Sequence, residues 1–294
     1  MDADLFAEML LDDCMTDLQK LQSKYPDADI QEFLELLKKD FYCSLPLHDP
    51  LGRPLVYLEG PASAPMSAVM AYSASRSTDV QGWLEAMATE ISSSLALENI
   101  HVPSDNVEQI IRGEAPEGEA EVRAFGMKNG LEFISDTDNK ITSQNISNLY
   151  QLAIGDYLET QAPACAGAHT QQLAALAHFA NNDDSEHPIN DLIKAALINF
   201  YFISMQPYPQ SNGLMGRLMH QWFLTQQGYP ATLAIPISLY ISKTSQAYDQ
   251  ALAQIEQNAA ISALTDVTPF LVYFSQNVYN QLSSYLTADM YGEY

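Results

Sequence analysis

The sequence predicts an all-α protein, and three observations favour this fold class. Apolar residues recur at helical spacing through most of the 294 residues, no long stretch alternates apolar and polar residues, and no repeat of fixed period is present. Hydrophobic residues make up 47% of the chain, which is enough to fill a sizeable core. A chain of this length forms one large domain or two small ones.

The N-terminal part predicts a helical extension. Apolar spacing indicates two helices, over residues 4–23 and 29–41. Residues 45–77 are rich in Pro, Gly, Ala and Ser and predict a connection with one short extended piece at LVYLEG. We therefore expect an extension and connection over residues 1–80 and a helical domain over residues 81–294.

The helical domain begins with a strong pattern over residues 79–97, where Asp79 is the expected N-cap and an apolar residue recurs every four positions. Between this helix and a last one at about 269–286, "DYLETQAPACAGAH" predicts a loop or short hairpin, and the segment after Pro236 is helical. The other predicted helices cover residues 105–133, 142–158, 170–180, 188–205 and 214–226.

The charge of the chain restricts its partners. Thirteen Lys and Arg stand against 37 Asp and Glu, for a formal net charge of -24. Nucleic acid and anionic lipid surfaces would repel such a chain, so neither is an expected partner. A basic protein would be attracted, although a well-solvated acidic surface explains the same composition.

The cysteines and the N-terminus indicate a soluble, cytoplasmic protein. Cys14, Cys43 and Cys165 are few, odd in number and widely spaced, which argues against a disulfide framework or a zinc site. The N-terminal sequence MDADLFAEMLLDD lacks the basic region of a secretory signal. The longest apolar run, residues 231–241, contains Pro236 and is too short to span a bilayer.

The clearest functional signal is ISMQPYPQSNGLMGRLMHQW, residues 203–222. The preceding helix is apolar on nearly every face and should be central and buried. Pro207 and Pro209 prevent its continuation, and Asn212 and Gly213 permit a tight turn before a new helix. The free N–H groups at such a helix start attract anions, although most corners of this kind bind nothing.

The segment from SEHPINDL to AYDQAL, residues 185–252, resembles the core of the Fic (filamentation induced by cAMP) family. The family's hallmark is His-Pro-Phe-x-Asp/Glu-Gly-Asn-Gly/Lys-Arg-x-x-Arg. Downstream, PISLYISKTSQAYDQAL is similar to the family's segment in which a Pro-Ile-Ser/Leu-Tyr run leads into a helix that carries Tyr248. Upstream, SSSLALEN contains Ser94, Glu98 and Asn99 at the spacing of the family's inhibitory helix, here at about residues 81–99. The resemblance implies a Fic-like all-α domain with a short flap hairpin or loop.

The resemblance also implies an activity, the transfer of AMP from ATP to a Ser, Thr or Tyr hydroxyl of a target protein. In the family, the loop histidine removes the hydroxyl proton and the acidic residue holds Mg²⁺ on the phosphates. Glycine amides and arginines bind the phosphate chain. By this resemblance the cofactors would be ATP and magnesium, and the partner a target protein.

Four loop positions depart from the family motif. Gln206 stands at the histidine position, and a carboxamide has no proton-accepting state near neutral pH. Gln210 replaces the acidic ligand, and a neutral oxygen is a poor anchor for Mg²⁺. Ser211 replaces a glycine and Leu214 the first arginine. We therefore expect no intact catalytic residue and no metal site.

The residues that match leave two interpretations open. Asn212, Gly213, Gly216 and Arg217 would bind a nucleotide or another anion weakly, or they serve only as turn former and helix-surface cation. By the resemblance, Glu98 pairs with Arg217 and excludes the γ-phosphate. The alternative is that Glu98 is a solvated residue at a helix end.

Other candidate groups carry less. His220 follows Arg217 on the same helix, but a histidine satisfied within the structure is the favoured interpretation. His187 and the acidic run 183–186 indicate turn chemistry and a solvated loop. The expected flap, LETQAPACAGAH, shows no strand pattern with which to dock a target.

Three hypotheses follow. The first is a catalytically silent Fic-like protein that acts as a binding or regulatory module. The second is an active nucleotidyl- or phospho-group transferase with an altered donor or mechanism. The third is an acidic adaptor whose first 80 residues carry the function.

Overall fold

The computed structural model describes residues 1–73, 80–155, 167–182, 188–229 and 231–282. These residues form fourteen α-helices and one small three-stranded sheet, so the all-α prediction is confirmed. Within these ranges, no helix combines the length and the apolar character that a bilayer crossing requires.

The elements follow one another along the chain with short connections. The helices are α1 Ala3–Leu10, α2 Leu18–Lys24, α3 Ile30–Asp40, α4 Met66–Ser73, α5 Val80–Ala96, α6 Ser104–Ile111, α7 Gly118–Ser135, α8 Ser143–Ala153, α9 Gly167–Asn181, α10 Asp191–Met205, α11 Asn212–Gln226, α12 Ile237–Lys243, α13 Ser245–Ser262 and α14 Thr268–Tyr273. The strands are β1 Tyr42–His48, β2 Pro54–Leu58 and β3 Thr265–Asp266.

The chain divides by its contacts into two compact units. The first comprises Met1–Ser63 and Gln246–Ser275, and the second comprises Ala64–Ser245 and Gln276–Tyr294. This division differs from the boundary expected at residue 80, because α13, β3 and α14 pack with the N-terminal segments. The boundary at residue 80 stays a prediction.

The first unit joins five helices, α1, α2, α3, α13 and α14, to the sheet. Strand β2 is central, antiparallel to β1 and parallel to β3. The turn between β1 and β2 is held by the buried side chain of Asp49, which accepts hydrogen bonds from the backbone N–H groups of Leu51 and Arg53. Thr265 donates a hydrogen bond to the same carboxylate at 2.8 Å, which ties β3 to this turn.

The helix expected over residues 4–23 is interrupted. Asp12 accepts a hydrogen bond from the N–H of Cys14, and Asp17 accepts one from the N–H of Lys20. Both bonds offer the backbone an alternative to a continuous helix, so the chain turns between α1 and α2. The helix expected over 29–41 is present as α3, whose N-cap Asp29 accepts from two backbone N–H groups.

Two further predicted helices are also divided or shortened. Residues 105–133 form α6 and α7, because Gly113 and Gly118 take left-handed backbone angles between them. After Tyr273 the α-helix ends, and a π-helical turn, Phe274–Val278, precedes the 3₁₀ turn Tyr279–Leu282. The expected N-cap Asp79 lies outside the described residues.

The core of the second unit is built around α10 and α11. All residues of α10 from Leu192 to Phe202 are buried, as expected of a central helix. On α11, Trp222 is fully buried and donates its indole N–H to the carbonyl oxygen of Asn139 at 2.9 Å. These two helices meet at the loop that carries the candidate site.

Candidate functional site

The loop begins where α10 ends at Gln206. This residue adopts left-handed angles, φ 45° and ψ 57°, and its N–H donates to the carbonyl oxygen of Phe202 at 3.3 Å. Pro207 follows and cannot continue a helix. The side chain of Gln206 is exposed, while Pro207 and Tyr208 are buried, so the corner presents an amide to solvent.

The side chain of Asn212 closes the loop. Its Oδ1 accepts a hydrogen bond from the N–H of Tyr208 at 3.1 Å, and its Nδ2 donates to the carbonyl oxygen of Tyr208 at 2.7 Å. Both ends of the amide are therefore committed to the turn. The geometry favours the turn-former interpretation of this side chain, and its binding of an anion stays a prediction.

Tyr208 fixes the loop against the core. Its ring stacks on that of Tyr150 with centroids 3.7 Å apart and planes 5° from parallel. Its hydroxyl donates to Ser147 Oγ at 3.4 Å. The aromatic position of the motif thus anchors the corner to α8.

Helix α11 starts from a second left-handed residue, Ser211, at φ 57°. Its side chain makes no capping hydrogen bond, while its carbonyl oxygen accepts from the N–H of Met215 at 3.0 Å. The backbone angle that the family's glycine would supply is therefore retained by a serine, at a steric cost.

We expect Ser211→Gly to stabilise the protein by about 0.5–1 kcal/mol, because glycine adopts this angle without strain although it gains entropy when unfolded. Ser211→Ala, the matched control, should change the free energy of unfolding little, since no side-chain capping bond is lost. Chemical denaturation of the three proteins measures the difference. A Ser211→Gly protein less stable than the wild type would contradict a strained backbone at this position.

The second element of the site is the C-terminal half of α5, which meets α11 at Arg217. The Nε of Arg217 donates to Ser94 Oγ at 2.9 Å, and its Nη2 donates to the carbonyl oxygen of Ser94 at 2.9 Å. The same Nη2 lies 3.2 Å from Glu98 Oε1. The structure thus brings together the predicted pair, with Arg217 only 5% exposed.

The carboxylate of Glu98 lies at the start of α11. A Cβ atom at Gly213 would be 2.9 Å from Glu98 Oε1 and 3.2 Å from Arg217 Nη1. A side chain at this position would displace the ends of these two side chains, so glycine permits the close approach. The negative group therefore sits beside both an arginine and the positive end of a helix, the two features that stabilise an anion.

The end of α5 explains the third residue of the upstream pattern. Asn99 adopts left-handed angles, φ 60°, and the N–H of Ile100 donates to the carbonyl oxygen of Leu95 at 3.0 Å. This bonding closes the helix as glycine or asparagine commonly does. Asn99 therefore closes the turn that follows α5, directly after Glu98.

Gly216 has a packing role. A Cβ atom there would lie 3.0 Å from Ile203 Cγ1 and 3.1 Å from the carbonyl oxygen of Asn199. The absence of a side chain lets α11 approach α10 closely. A contact of Gly216 with an anion stays a prediction.

The two remaining departures from the motif differ in their exposure to solvent. Gln210 is exposed, whereas Leu214 is buried in the core at the position of the family's first arginine. No charge is therefore supplied to the loop from either position.

His220 lies inside the core. It is fully buried, and its Nε2 is 3.2 Å from the hydroxyl oxygen of Tyr279, which donates to the carbonyl oxygen of Leu192 at 2.6 Å. Burial lowers the pKa of His220 to about 3, so the ring is neutral at physiological pH. This agrees with the interpretation of His220 as a satisfied core histidine.

One residue was missed by sequence reasoning. Glu90 on α5 is buried, and its two carboxylate oxygens accept hydrogen bonds from the N–H and the hydroxyl of Ser238 on α12. The four-residue spacing of Glu90 and Ser94 is the signal that places both on one face of α5, and Glu98 lies in the turn after this helix.

Several of the sequence-based candidates cannot be placed. His187, the acidic run 183–186 and residues 156–166, which include most of the expected flap, lie outside the described residues.

Comparisons with solved structures identify the fold. A crystal structure of a Fic family protein from Desulfovibrio desulfuricans G20 matches with a TM-score of 0.62 and 16% sequence identity, covering 78% of this chain and 77% of that one. Fic-1 (residues 134–508) from C. elegans matches with a TM-score of 0.58 and 16% identity, over 78% and 71% of the two chains.

A Fic domain containing signaling protein from Bacteroides thetaiotaomicron VPI-5482 matches with a TM-score of 0.59 and 19% identity, over 78% of this chain and 97% of that one. No protein-family model and no curated protein matches the sequence. The chain therefore has a Fic-type fold, which the structures share at low sequence identity.

Proposed function

We propose that this protein is a catalytically silent Fic protein that acts as a binding or regulatory module. The observation that carries the proposal is the position of Glu98. Its carboxylate lies at the start of α11, beside Gly213 and Arg217, where the resemblance would place a phosphate group. The chain supplies its own anion to the place at which a nucleotide would bind.

The loop also lacks a group that could remove a proton. Gln206 is an exposed amide without a basic nitrogen, and His220 is enclosed in the core. Loss of a general base typically costs about 10²–10⁴ in rate, and loss of an arginine at a transferring phosphate costs about 10³ or more. Gln206 and Leu214 together therefore predict near-complete loss of AMP transfer.

The residues at the loop do not fit a magnesium ion. The position of the acidic ligand holds Gln210, whose neutral oxygen is a weaker ligand than the carboxylate that Mg²⁺ prefers. In the part of the chain that the structure describes, no three His, Cys, Asp or Glu side chains are grouped to hold a metal ion.

A nucleotide would bind weakly if at all, because Arg217 is already committed to Ser94 and Glu98. An incoming triphosphate must displace a carboxylate that α11 and Arg217 both stabilise. The partner that the acidic chain favours is a protein with a basic surface. We infer a role in protein binding or regulation inside the cytoplasm.

The test is the incorporation of label from α-labelled ATP, with Mg²⁺, into the protein itself and into a cell lysate. We expect no incorporation by the wild type and little by Gln206→His alone, because Gln210 and Leu214 would still lack their charges. Glu98→Gly alone should release no activity. Appreciable transfer by the wild type or by Gln206→His would refute the proposal.

The matched positive control restores all four loop positions, Gln206→His, Gln210→Asp, Ser211→Gly and Leu214→Arg, together with Glu98→Gly. If these side chains are what withhold the reaction, this variant should transfer AMP at least about 10²-fold faster than the wild type. Circular dichroism should first show that it retains its helical content. A folded variant without activity would contradict our account of the loop.

A further inference from the structure

Helix α5 carries a second carboxyl group close to Arg217. Glu90 and Ser94 lie one turn apart on α5, so their side chains are neighbours on one face, with Cβ atoms about 5–6 Å apart. The hydroxyl and carbonyl oxygens of Ser94 accept hydrogen bonds from the guanidinium group of Arg217. Glu90 therefore lies about one helical turn from this cation, and Ser94 separates it along the chain from Glu98.

The contacts of Glu90 favour its ionised form. Its Oε2 accepts a hydrogen bond from the N–H of Ser238 at 2.9 Å, and its Oε1 accepts one from the Ser238 hydroxyl at 2.5 Å. A separation of about 2.5–2.7 Å is typical of a hydroxyl group that donates to a carboxylate. Burial raises the pKa of Glu90, but the bonds from Ser238 and the charge of Arg217 act to lower it. Glu90 is therefore a carboxylate at mildly alkaline pH.

Two carboxylates thus surround one guanidinium group. Arg217 is 5% exposed and Glu90 is 2% exposed, whereas the side chain of Glu98 is 23% exposed. Charges in a poorly solvated interior are screened little, so each carboxylate offsets the charge of the arginine over several ångströms. Removal of Glu98 alone would therefore leave Arg217 neutralised from inside the core.

We propose that Glu90 is a second counter-charge of Arg217, which lowers the affinity of the start of α11 for phosphate groups from inside the core. Ser238 holds this carboxylate in place, and Glu98 is the outer counter-charge. The inference rests on the proposed function in taking Arg217 as an anion-binding residue. It adds that the contact of Glu98 with Arg217 does not by itself determine how strongly the site binds an anion.

The test is the binding of inorganic tripolyphosphate to the full chain, measured by isothermal titration calorimetry at pH 8 without Mg²⁺. Tripolyphosphate has the linked phosphate groups of ATP without the nucleoside. We expect no measurable binding by the wild type and weak binding by Glu98→Ala. Glu98→Ala combined with Glu90→Gln should bind at least about 10-fold more tightly than Glu98→Ala, because a buried negative charge is removed.

Glu90→Gln removes the charge but keeps the attachment, since its amide accepts from the Ser238 N–H and donates to the Ser238 hydroxyl oxygen. Glu85→Gln, combined with Glu98→Ala, is the matched control. Glu85 lies on the same helix but is exposed, where it accepts a hydrogen bond from Gln81. Its replacement changes the net charge equally, yet the affinity should change less than about 2-fold, because solvent screens an exposed charge.

A gain in affinity distinguishes the role of this charge from a purely structural one, because disturbed packing would weaken binding. Arg217→Met, added to the variant without Glu98 and Glu90, should abolish the gain. Circular dichroism checks that each variant keeps its helical content. Glu90→Met, a second uncharged replacement of similar length, should give the same gain if Glu90→Gln does not fold.

Three outcomes would overturn the role of Glu90. These are equal affinities of Glu98→Ala with and without the replacement of Glu90, a gain that persists in Arg217→Met, and a gain of the same size with Glu85→Gln. Tight binding or AMP transfer by the wild type would instead contradict the proposed function. The two claims fail separately, because one is a difference between variants and the other is a property of the wild type.

Discussion

Arg217→Met is expected to lower the free energy of unfolding of the second unit by about 3 kcal/mol. The substitution keeps an unbranched side chain in a buried position but removes the three hydrogen bonds to Ser94 and Glu98. It also leaves the Glu98 carboxylate, 23% exposed, without its cation. Breaking one side of a largely buried pair costs more than the pair contributes, because the remaining charge stays desolvated.

The measurement is urea denaturation followed by tryptophan fluorescence. Both tryptophans, Trp83 and Trp222, lie in the second unit and report on its unfolding. Arg112→Met is the matched control, since Arg112, 49% exposed, contacts Glu108 at 3.8 Å and Gln81 at 2.6 Å near the surface, where an ion pair is worth about 1 kcal/mol or less. Equal losses for the two variants would show that the contacts of Arg217 are no stronger than a surface ion pair.

The second large effect is a loss of stability in acid that depends on His220. The folded pKa of His220 is about 3, whereas an unfolded histidine has a pKa of about 6.5. The unfolded chain therefore binds more protons below pH 6.5, and stability falls as the pH falls towards 3. His220 alone should remove about 2 kcal/mol at pH 5 and about 4 kcal/mol at pH 3.

His220→Gln tests this expectation, because an amide can still hydrogen-bond to Tyr279 but does not titrate over this range. The difference in unfolding free energy between wild type and variant should change by about 2 kcal/mol from pH 7 to pH 5, in favour of the variant. The raised pKa values of Glu90 and Asp266 act in both proteins and cancel in this difference. A difference that is constant with pH would indicate that His220 is not held neutral.

The central part of the fold follows from local signals in the sequence. The apolar stripe of α10, the prolines after Gln206 and the turn at Asn212 together predict the helix, its end and the corner. The contact of Glu98 with Arg217 was expected only because the family resemblance implies it. The helix, its end and the corner are each encoded within a few residues of where they occur, whereas Glu98 and Arg217 are 119 positions apart.

Other features depend on contacts between distant residues. Nothing around Glu90 indicates that it meets Ser238, which lies 148 positions away. The pairing of β3 with β2 likewise joins Thr265 to Leu55, and a strand of two residues has no periodicity to detect. The division of α1 from α2 arises from two aspartates whose side chains compete with the helix for backbone N–H groups.

The corner between α10 and α11 connects two buried helices of the second unit. Tyr208, Asn212 and Arg217 make stacking and hydrogen-bond contacts there. Removing any of them would therefore destabilise the protein whether or not it binds a substrate. A motif search that takes these residues as evidence of an enzyme would therefore detect residues that stabilise the fold. Reactivity in chains of this shape is better judged by the neighbouring positions that packing leaves free, here Gln206 and Gln210.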